Sequence, residues 1–440
     1  MQRPLIAVLI ASAVLTLNAQ AADLLQVYQQ ALANDATYAS ARSSLAAGQE
    51  RITQGRSVLL PSISASGSDT RNTGDITAAN VLGIRTKSDT EYNYNTYTVS
   101  LSQPLFNWGA WQTYQQSKLV QATAEATFSQ AQQDLIVRVA QAYFDVLTAQ
   151  DALTATQAQK VATTEQLASA KRNFEVGTQT ITDTHEAQAA YDLVVAQEYA
   201  AINDLDNKRT ALQVVIGQVP GDLAPLRPGV TIAPPSPAAV EPWVSSAETQ
   251  NYSVVAAGLN VEIAKREIAR SRADHLPTAN LVATTGRTRQ TGDGGSLVNN
   301  NAIGVSWNIP IFSGFAITSK VRENIALEDK ARNDLEATKR AASQSARSAF
   351  LGMNSGLAQV KALEAAEVSS KSSLESNKLG YQVGVRINID VLNAQKLLYS
   401  TQKDLSKARY DTLMNGLRLK AAAGSLKEED LAPVNALLTH

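Results

Sequence analysis

The 440-residue chain contains no cysteine. That excludes disulfides, thiolate metal sites, thiol nucleophiles and a lipid anchor built on an N-terminal cysteine. Aromatic residues are scarce, at 5%, which is poor provision for a bulky globular core. The abundant Ala, Gln and Ser suit long helices that pack closely through small side chains. Neither sign of charge is in excess, with 39 Lys and Arg against 40 Asp and Glu. A nucleic-acid partner would want a basic surplus on one face, and none is expected. Past the N-terminus no apolar run reaches ~18 residues, so no transmembrane helix is expected. The three histidines, His185, His275 and His440, are scattered without metal-ligand spacing. No Gly-rich phosphate loop or nucleophile elbow occurs. The chain is therefore expected to have no catalytic residue, no cofactor and no metal, and not to be an enzyme.

The N-terminus reads as an export signal over residues 1–21. Arg3 gives a short basic region, Leu5 to Leu17 is apolar, and Ala19-Gln20-Ala21 is an A-x-A cleavage site. The mature chain is expected to begin near Ala22. The apolar run is too short to span a bilayer as an anchor.

What is present is said twice. Leu60-Pro61 and Leu276-Pro277 each close a helical stretch and superpose at an offset of 216. "SLSQPLFNWG" (100–109) matches "VSWNIPIFSG" (305–314). "FEVGTQTITDTHEAQ" (174–188) matches "YQVGVRINIDVLNAQ" (381–395) at an offset of 207, which also relates Gly217 to Gly424. A period this long is not that of a solenoid. It reads as a duplicated structural half in the order helix, strand, loop, strand, very long helix, turn, helix. The halves span 22–217 and 243–424, joined by a Pro-rich crossover at 218–242 and followed by a tail at 425–440.

The segments at about 60–106 and 277–312 change period. Tyr97, Val99, Leu101 and Leu105 alternate with Thr98, Ser100 and Ser102. Ile303, Val305, Trp307, Ile309 and Ile311 alternate with Gly304, Ser306 and Asn308. Strict alternation is the weak signature of a membrane β-strand, and a half-exposed strand of a soluble sandwich alternates equally well. Aromatic placement favours the membrane. Tyr92, Tyr94 and Tyr97 sit towards one end, with Phe106, Trp108 and Trp111 past the other, as in two interfacial girdles. Trp307 and Phe312 belong to the same expectation. The polar stretches 69–91 and 287–300 read as exposed loops.

A nearly unbroken helical pattern follows Gly109 and runs to Gly177, its apolar stripe passing through Phe128, Leu135, Val139, Tyr143, Val146, Leu153 and Leu167. Its ~66 residues at 1.5 Å each make ~100 Å. The second copy runs from about 315 to 381, weakened locally at Gly352 and Gly356. Single shorter helices are expected over 23–57, with Asp23 as N-cap, and over 183–217, 243–274 and 389–423. Stacked in pairs, these match one long helix, so each chain could supply four columns. The crossover and tail read as a belt at mid-height. Four strands cannot close a pore, and two chains give only the eight whose interior side chains fill. Three chains give twelve strands, and a homotrimer is the simplest symmetric solution.

These motifs make the chain resemble the TolC family of outer-membrane channel-tunnel proteins. The resemblance covers essentially the whole mature chain. It is carried by the paired Leu-Pro, by "QPLFNWG" and "IPIFSG", by both hairpins, and by "ARYDTLMNGLRLKAAAGSLKEEDL" (408–431). It implies a mainly α protein with a membrane β-barrel: a homotrimeric 12-stranded barrel continuing into a 12-column α-helical barrel with a mixed equatorial belt. It implies location in the outer membrane with a periplasmic tunnel, contact with outer-membrane lipid, and two partners. Those are a periplasmic adaptor (membrane fusion) protein and an inner-membrane transporter, serving efflux or type I secretion.

The resemblance also places a periplasmic constriction at the hairpins. Asp183 and Asp390 correspond across the duplication, and three-fold symmetry would make each a ring of carboxylates. Tyr381 and Arg386 are implied to link the inner hairpin to Thr182, Asp183 and Gln166. Asp183-x-x-Glu186 also reads as a plain capping box, with Asp390 another cap. Asn393 departs from the family pattern, which has an acidic residue there, so a cation-binding ring would be neutral at that level. Gly177 and Gly384 are expected to supply left-handed turn positions. A rival reading is a structural or adhesive trimeric coiled coil with a membrane anchor, which predicts no conductance. A diffusion porin would need many strands and little helix.

Overall fold

The structure is a computed structural model that describes residues 21–79, 81–292 and 294–439. The export signal expected at 1–21 lies, but for Ala21, outside the described residues, as does His440. In chain order the elements are α1 (Leu24–Asn34), α2 (Ala36–Ser57), β1 (Ser62–Ala79), β2 (Arg85–Phe106), α3 (Trp108–Glu175), α4 (Ile181–Ile216), α5 (Glu241–Gln250), α6 (Tyr252–Ala273), β3 (Thr278–Gly292), β4 (Ser296–Asn308), α7 (Ala316–Gln382) and α8 (Asn388–Ala422). A 3₁₀ turn (Glu428–Asp430) and α9 (Leu431–Asn435) follow. No described helix is long and apolar enough to cross a membrane. The chain forms two compact units. One holds residues up to Ala39, Ala131–Ala247 and from Ala342 on; the other holds Ser40–Gln130 and Glu248–Ala341.

In the first unit α1 opens on a capping box. The Asp23 carboxylate accepts the Gln26 N–H at 2.7 Å, and the Gln26 side chain accepts the Asp23 N–H. The single helix expected over 23–57 is in fact two. Asp35 leaves the helical region (ψ 115°), and one of its carboxylate oxygens accepts the Tyr38 N–H at 2.6 Å and the Arg138 guanidinium at 2.8 Å. In the second unit the helix expected over 243–274 is likewise broken at Asn251, whose side chain accepts the Ser253 N–H at 3.0 Å. Short polar side chains offer the backbone a local alternative to the helix ladder, and here they take it. Asp35 is 5% exposed. Asp35→Ala removes a cap and strands Arg138, which should cost about 2 kcal/mol or more. A thermal midpoint lowered by several degrees would show it; an unchanged one would mean the break holds without its cap.

The core of this unit gathers Leu24, Val27 and Ala31 of α1, Leu135, Val139, Tyr143 and Leu147 of α3, Leu212 and Ile216 of α4, and Met414 and Leu417 of α8. Phe144 stacks on Tyr410 with ring centroids 5.5 Å apart. The Tyr143 hydroxyl donates to the Ala224 carbonyl at 2.8 Å, and burial pushes both Tyr143 and Tyr410 far above the usual phenol range. The Pro-rich crossover pairs with both chain ends. The Ala22 N–H donates to the Asp222 carbonyl, the Arg227 N–H to the Leu437 carbonyl, and the Thr439 N–H to the Pro225 carbonyl, all within 3.0 Å. Helix α7 runs unbroken through Gly352 and Gly356. A Cβ at Gly356 would lie 2.4 Å from the Thr412 hydroxyl, so α8 approaches there closely enough to need glycine.

The second unit carries a four-stranded antiparallel sheet in the order β1-β2-β3-β4. The stretches 69–91 and 287–300, expected as loops, are mostly strand. β1 and β2 stay in register from Ser62↔Ser102 out to Ala79↔Arg85, and β3 and β4 from Thr278↔Asn308 to Gln290↔Ser296. Thr and Asn have no apolar pattern to betray a strand, but a continuous ladder satisfies their backbone. Cross-strand ion pairs, Arg71 with Glu91 and Lys87 with Asp75 at 2.7 Å, lie along the extension. Register sorts the faces. Ile63, Leu101, Ala283 and Ile303 form one row, and Ser64, Ser100, Thr284 and Ala302 the adjacent row on the opposite face. β4 ends at Asn308, before Pro310, so the expected alternation does not extend as strand to Ile309 and Ile311.

Candidate functional site

The two helical hairpins of the first unit bring three of the seven predicted gate residues into the bonds that join them. Each turn is set by a glycine in the left-handed region, Gly177 at φ 78° and Gly384 at φ 81°. In the first hairpin the Thr178 N–H closes back on the Asn173 carbonyl at 2.8 Å. α4 is capped by Thr180, not Asp183. The Asp183 carboxylate occupies the third helical position and accepts the Thr180 N–H at 3.0 Å and its hydroxyl at 2.8 Å. The capping box is thus Thr180 with Asp183, one turn earlier than Asp183 with Glu186. Asp390 holds the matching place in α8, 3.5 Å from the Ile387 N–H. Both carboxylates are half-buried.

The hairpins are joined by side chains of α7 and α8 that reach α3 and α4. The Tyr381 hydroxyl bonds the Gln179 side chain at 2.6 Å and lies 3.4 Å from Asn173. The Asn388 side chain is fully buried. It donates to the main-chain carbonyl of Asp183 at 3.0 Å and accepts from Gln166 at 2.6 Å. Small apolar clusters flank these bonds: Leu167, Ala170, Ala187 and Leu392 on one side, and Leu374, Val391, Ala394 and Leu398 with Tyr381 on the other. Gln166, Asp183 and Tyr381 therefore take part in linking the hairpins within one protomer. Arg386 does not. It folds over Gly380, where a Cβ would lie 2.6 Å from its Cγ, and its guanidinium sits 3.7 Å from Asp390. Thr182 is exposed.

Asn388, Gln179 and Asn173 were not singled out by the sequence reasoning. A signal for Asn388 exists: at the 207 offset it stands where the first hairpin has Ile181, a polar residue in an apolar slot. Asn393 is exposed and lines a cavity of about 230 Å³ between α3, α4 and α8, with Lys396 and Lys403.

The predicted interface aromatics divide by face. Phe106 and Trp307 share a row through Ala279, and Tyr97 lies on that same face four rows further along. Tyr92 and Tyr94 fall on the opposite, Ser/Thr-bearing face, packed edge to face at 5.3 Å, so they do not join a girdle with Tyr97. Trp108 opens α3, and Phe312 packs edge to face on Phe315 at the start of α7.

A family model described as "Outer membrane efflux protein" matches residues 27–218 and again 243–425. The chain belongs to the outer membrane efflux protein family. It is 33% identical to the outer membrane protein TolC of Escherichia coli K12 over 432 residues, 96% of this chain and 86% of the relative. It is also 33% identical to the alkaline protease secretion protein AprF of Pseudomonas aeruginosa, over 95% of this chain and 88% of that one. The Campylobacter jejuni CmeC outer membrane channel shares the fold with a TM-score of 0.78 at 20% identity, covering 94% of this chain and 89% of that one. As a member of the efflux family this protein is an outer-membrane channel and not an enzyme.

One further property of this efflux protein is testable at the cavity. Burial lowers the Lys403 ammonium below the ordinary lysine value, with Asp404 opposing the shift. The charged form is thus disfavoured by folding, and stability rises as pH climbs from the depressed towards the ordinary value. Lys403→Met should raise the thermal midpoint by a few degrees at pH 7, with a smaller gain at pH 10. An equal gain at both would assign the effect to packing.

Proposed function

We propose that three copies close a twelve-stranded barrel in the outer membrane, continued by a twelve-column helical tunnel with an equatorial belt. The observation that carries this reading is the sheet. One face bears Ser, Thr, Gly and Asn, the other bears Ile63, Leu101, Ile303, Val305 and Trp307, and both outer strands, β1 and β4, have an open edge. In a bilayer no such edge can stay unpaired, so the sheet must close on copies of itself. The polar face then lines a wet lumen and the apolar face meets lipid. The duplication is supported by the two family matches and by the helix breaks at Asp35 and Asn251, which are 216 residues apart like the Leu-Pro pairs.

The duct is passive and gated at the hairpins, where Asp183 and Asp390 face the axis as carboxylate rings. Bonds from Tyr381 and Asn388 hold the inner hairpin against the outer one, while Arg386 and Thr182 meet across subunits. Energy and cargo choice come from an inner-membrane transporter coupled through a periplasmic adaptor, in efflux or type I secretion. Secretion is supported by the likeness to a protein named for alkaline protease secretion. Native mass spectrometry and planar-bilayer recording test the core of this reading. The expected result is a trimer with small, discrete conductance steps. A stable monomer, or an inserted trimer without current, would overturn it.

A further inference from the structure

Every charged residue of the four strands lies on the face that carries the apolar band. These are Asp69, Arg71 and Asp75 of β1, Arg85, Lys87, Asp89 and Glu91 of β2, and Arg287 and Arg289 of β3. All lie on the turn side of that band. From the Phe106–Ala279–Trp307 row to the Val99–Thr285–Asn301 row the face has no charge, and the next row is Gly67–Tyr97–Arg287–Asn299. Those five rows span nine residues of β4, the length that crosses a hydrocarbon core in a tilted strand. The Tyr97–Arg287 row therefore marks the lipid–water boundary at the end away from the helices.

Beyond that boundary the cations differ in kind and place. Arg71 and Lys87 are ion-paired with Glu91 and Asp75, and Arg85 stands at the far turn of the β1–β2 hairpin. Arg287 and Arg289 project from the same face, two residues apart, both exposed, and neither makes an ion pair among the described residues. Asp69 shares the Arg289 row but is separated from it by Asn95. One row from Arg287 the same face holds an open hollow of about 380 Å³, lined by Ile63, Val99, Leu101 and Ile303, with Thr285 and Asn301 at its Arg287 end. A fork of planar guanidinium donors above an apolar hollow matches a phosphate attached to an acyl chain.

We propose that Arg287 and Arg289 bind the headgroup phosphate of an anionic lipid in the leaflet away from the helices, with an acyl chain seated in the hollow below. This rests on the reading that the sheet is a membrane barrel wall with its apolar face outward.

The test compares the wild-type trimer with Arg287→Gln/Arg289→Gln, extracted from vesicles of equal phosphatidylglycerol and phosphatidylcholine, by native mass spectrometry of the lipid retained. The wild type should retain phosphatidylglycerol roughly 25-fold over phosphatidylcholine, since each of the two basic residues near a bilayer surface contributes about fivefold. The double variant should lose that preference, and Arg287→Lys/Arg289→Lys should keep part of it. Equal preference in wild type and Gln variant would overturn the proposal. So would loss of wild-type preference in inorganic phosphate at matched ionic strength, which would mean a site for the free ion. Brominated-lipid quenching of tryptophan fluorescence separates the underlying reading. Quenching in the wild type without lipid preference sinks this site alone, whereas no quenching sinks the barrel wall as well.

Discussion

Asn388→Ala combined with Tyr381→Phe is expected to raise single-channel conductance several-fold while leaving trimer yield unchanged. Per protomer the pair removes bonds between hairpins at four places: Tyr381 to Gln179 and Asn173, and Asn388 to Gln166 and to the Asp183 carbonyl. Three subunits multiply that to twelve. At about 1 kcal/mol each, the sum exceeds the ~5.5 kcal/mol that carries a two-state gate from 1:99 to 99:1. Neither substitution touches the sheet or the main core of the first unit, so assembly should survive. Arg386→Ser alone discriminates further. Within a protomer the exposed Arg386 guanidinium meets only the Asp390 carboxylate, at 3.7 Å, an interaction worth little. A conductance rise from that single change would therefore report a contact across subunits. Unchanged conductance in the double variant, alongside a lower melting temperature, would mean that these bonds hold the hairpins together but do not gate.

The site was legible where chemistry and repetition coincided. Asp183 came from the matching hairpins and Tyr381 and Gln166 from the family resemblance; Tyr381 and Gln166 join the hairpins through their side chains, and Asp183 through its main-chain carbonyl alone. Asn388 was passed over because three residues of its turn, "INI", read as the lead-in to Asp390, and burial is invisible to a motif. The helix breaks were equally readable in principle. Asp35 and Asn251 are both Asx residues at the 216 offset, yet a long helical period masks a single capped interruption. The strand lengths were not readable. Beyond Asp69 in β1 and before Tyr92 in β2 no alternation of apolar and polar residues survives, and the ladder there is held by backbone pairing, to which the exposed ion pairs add little. A hydropathy pattern records only the part of a strand that meets an apolar neighbour.

The largest effect on assembly is expected from a charge in the middle of the apolar band. Ile303 is 78% exposed and its row is the middle one of the five, and Ile303→Arg should cost about 2–4 kcal/mol per copy if that row faces the bilayer midplane. Three copies share each barrel, so the yield of membrane-inserted, heat-resistant trimer should fall steeply. Gly304→Arg is the paired control. A side chain built at Gly304 meets nothing within 4 Å, and it projects from the Ser/Thr face. In a closed barrel that face is the lumen, so this variant should assemble normally and conduct cations poorly, because three arginines would ring the pore. A sheet in a soluble sandwich predicts the reverse of this separation, with the exposed position tolerant and no current to alter. If Gly304→Arg abolished assembly while Ile303→Arg did not, the faces would be inverted. The Arg287 and Arg289 site would then lie inside the channel and could not bind lipid. The assignment of lumen and lipid faces thus turns on two adjacent residues whose side chains leave the strand in opposite directions.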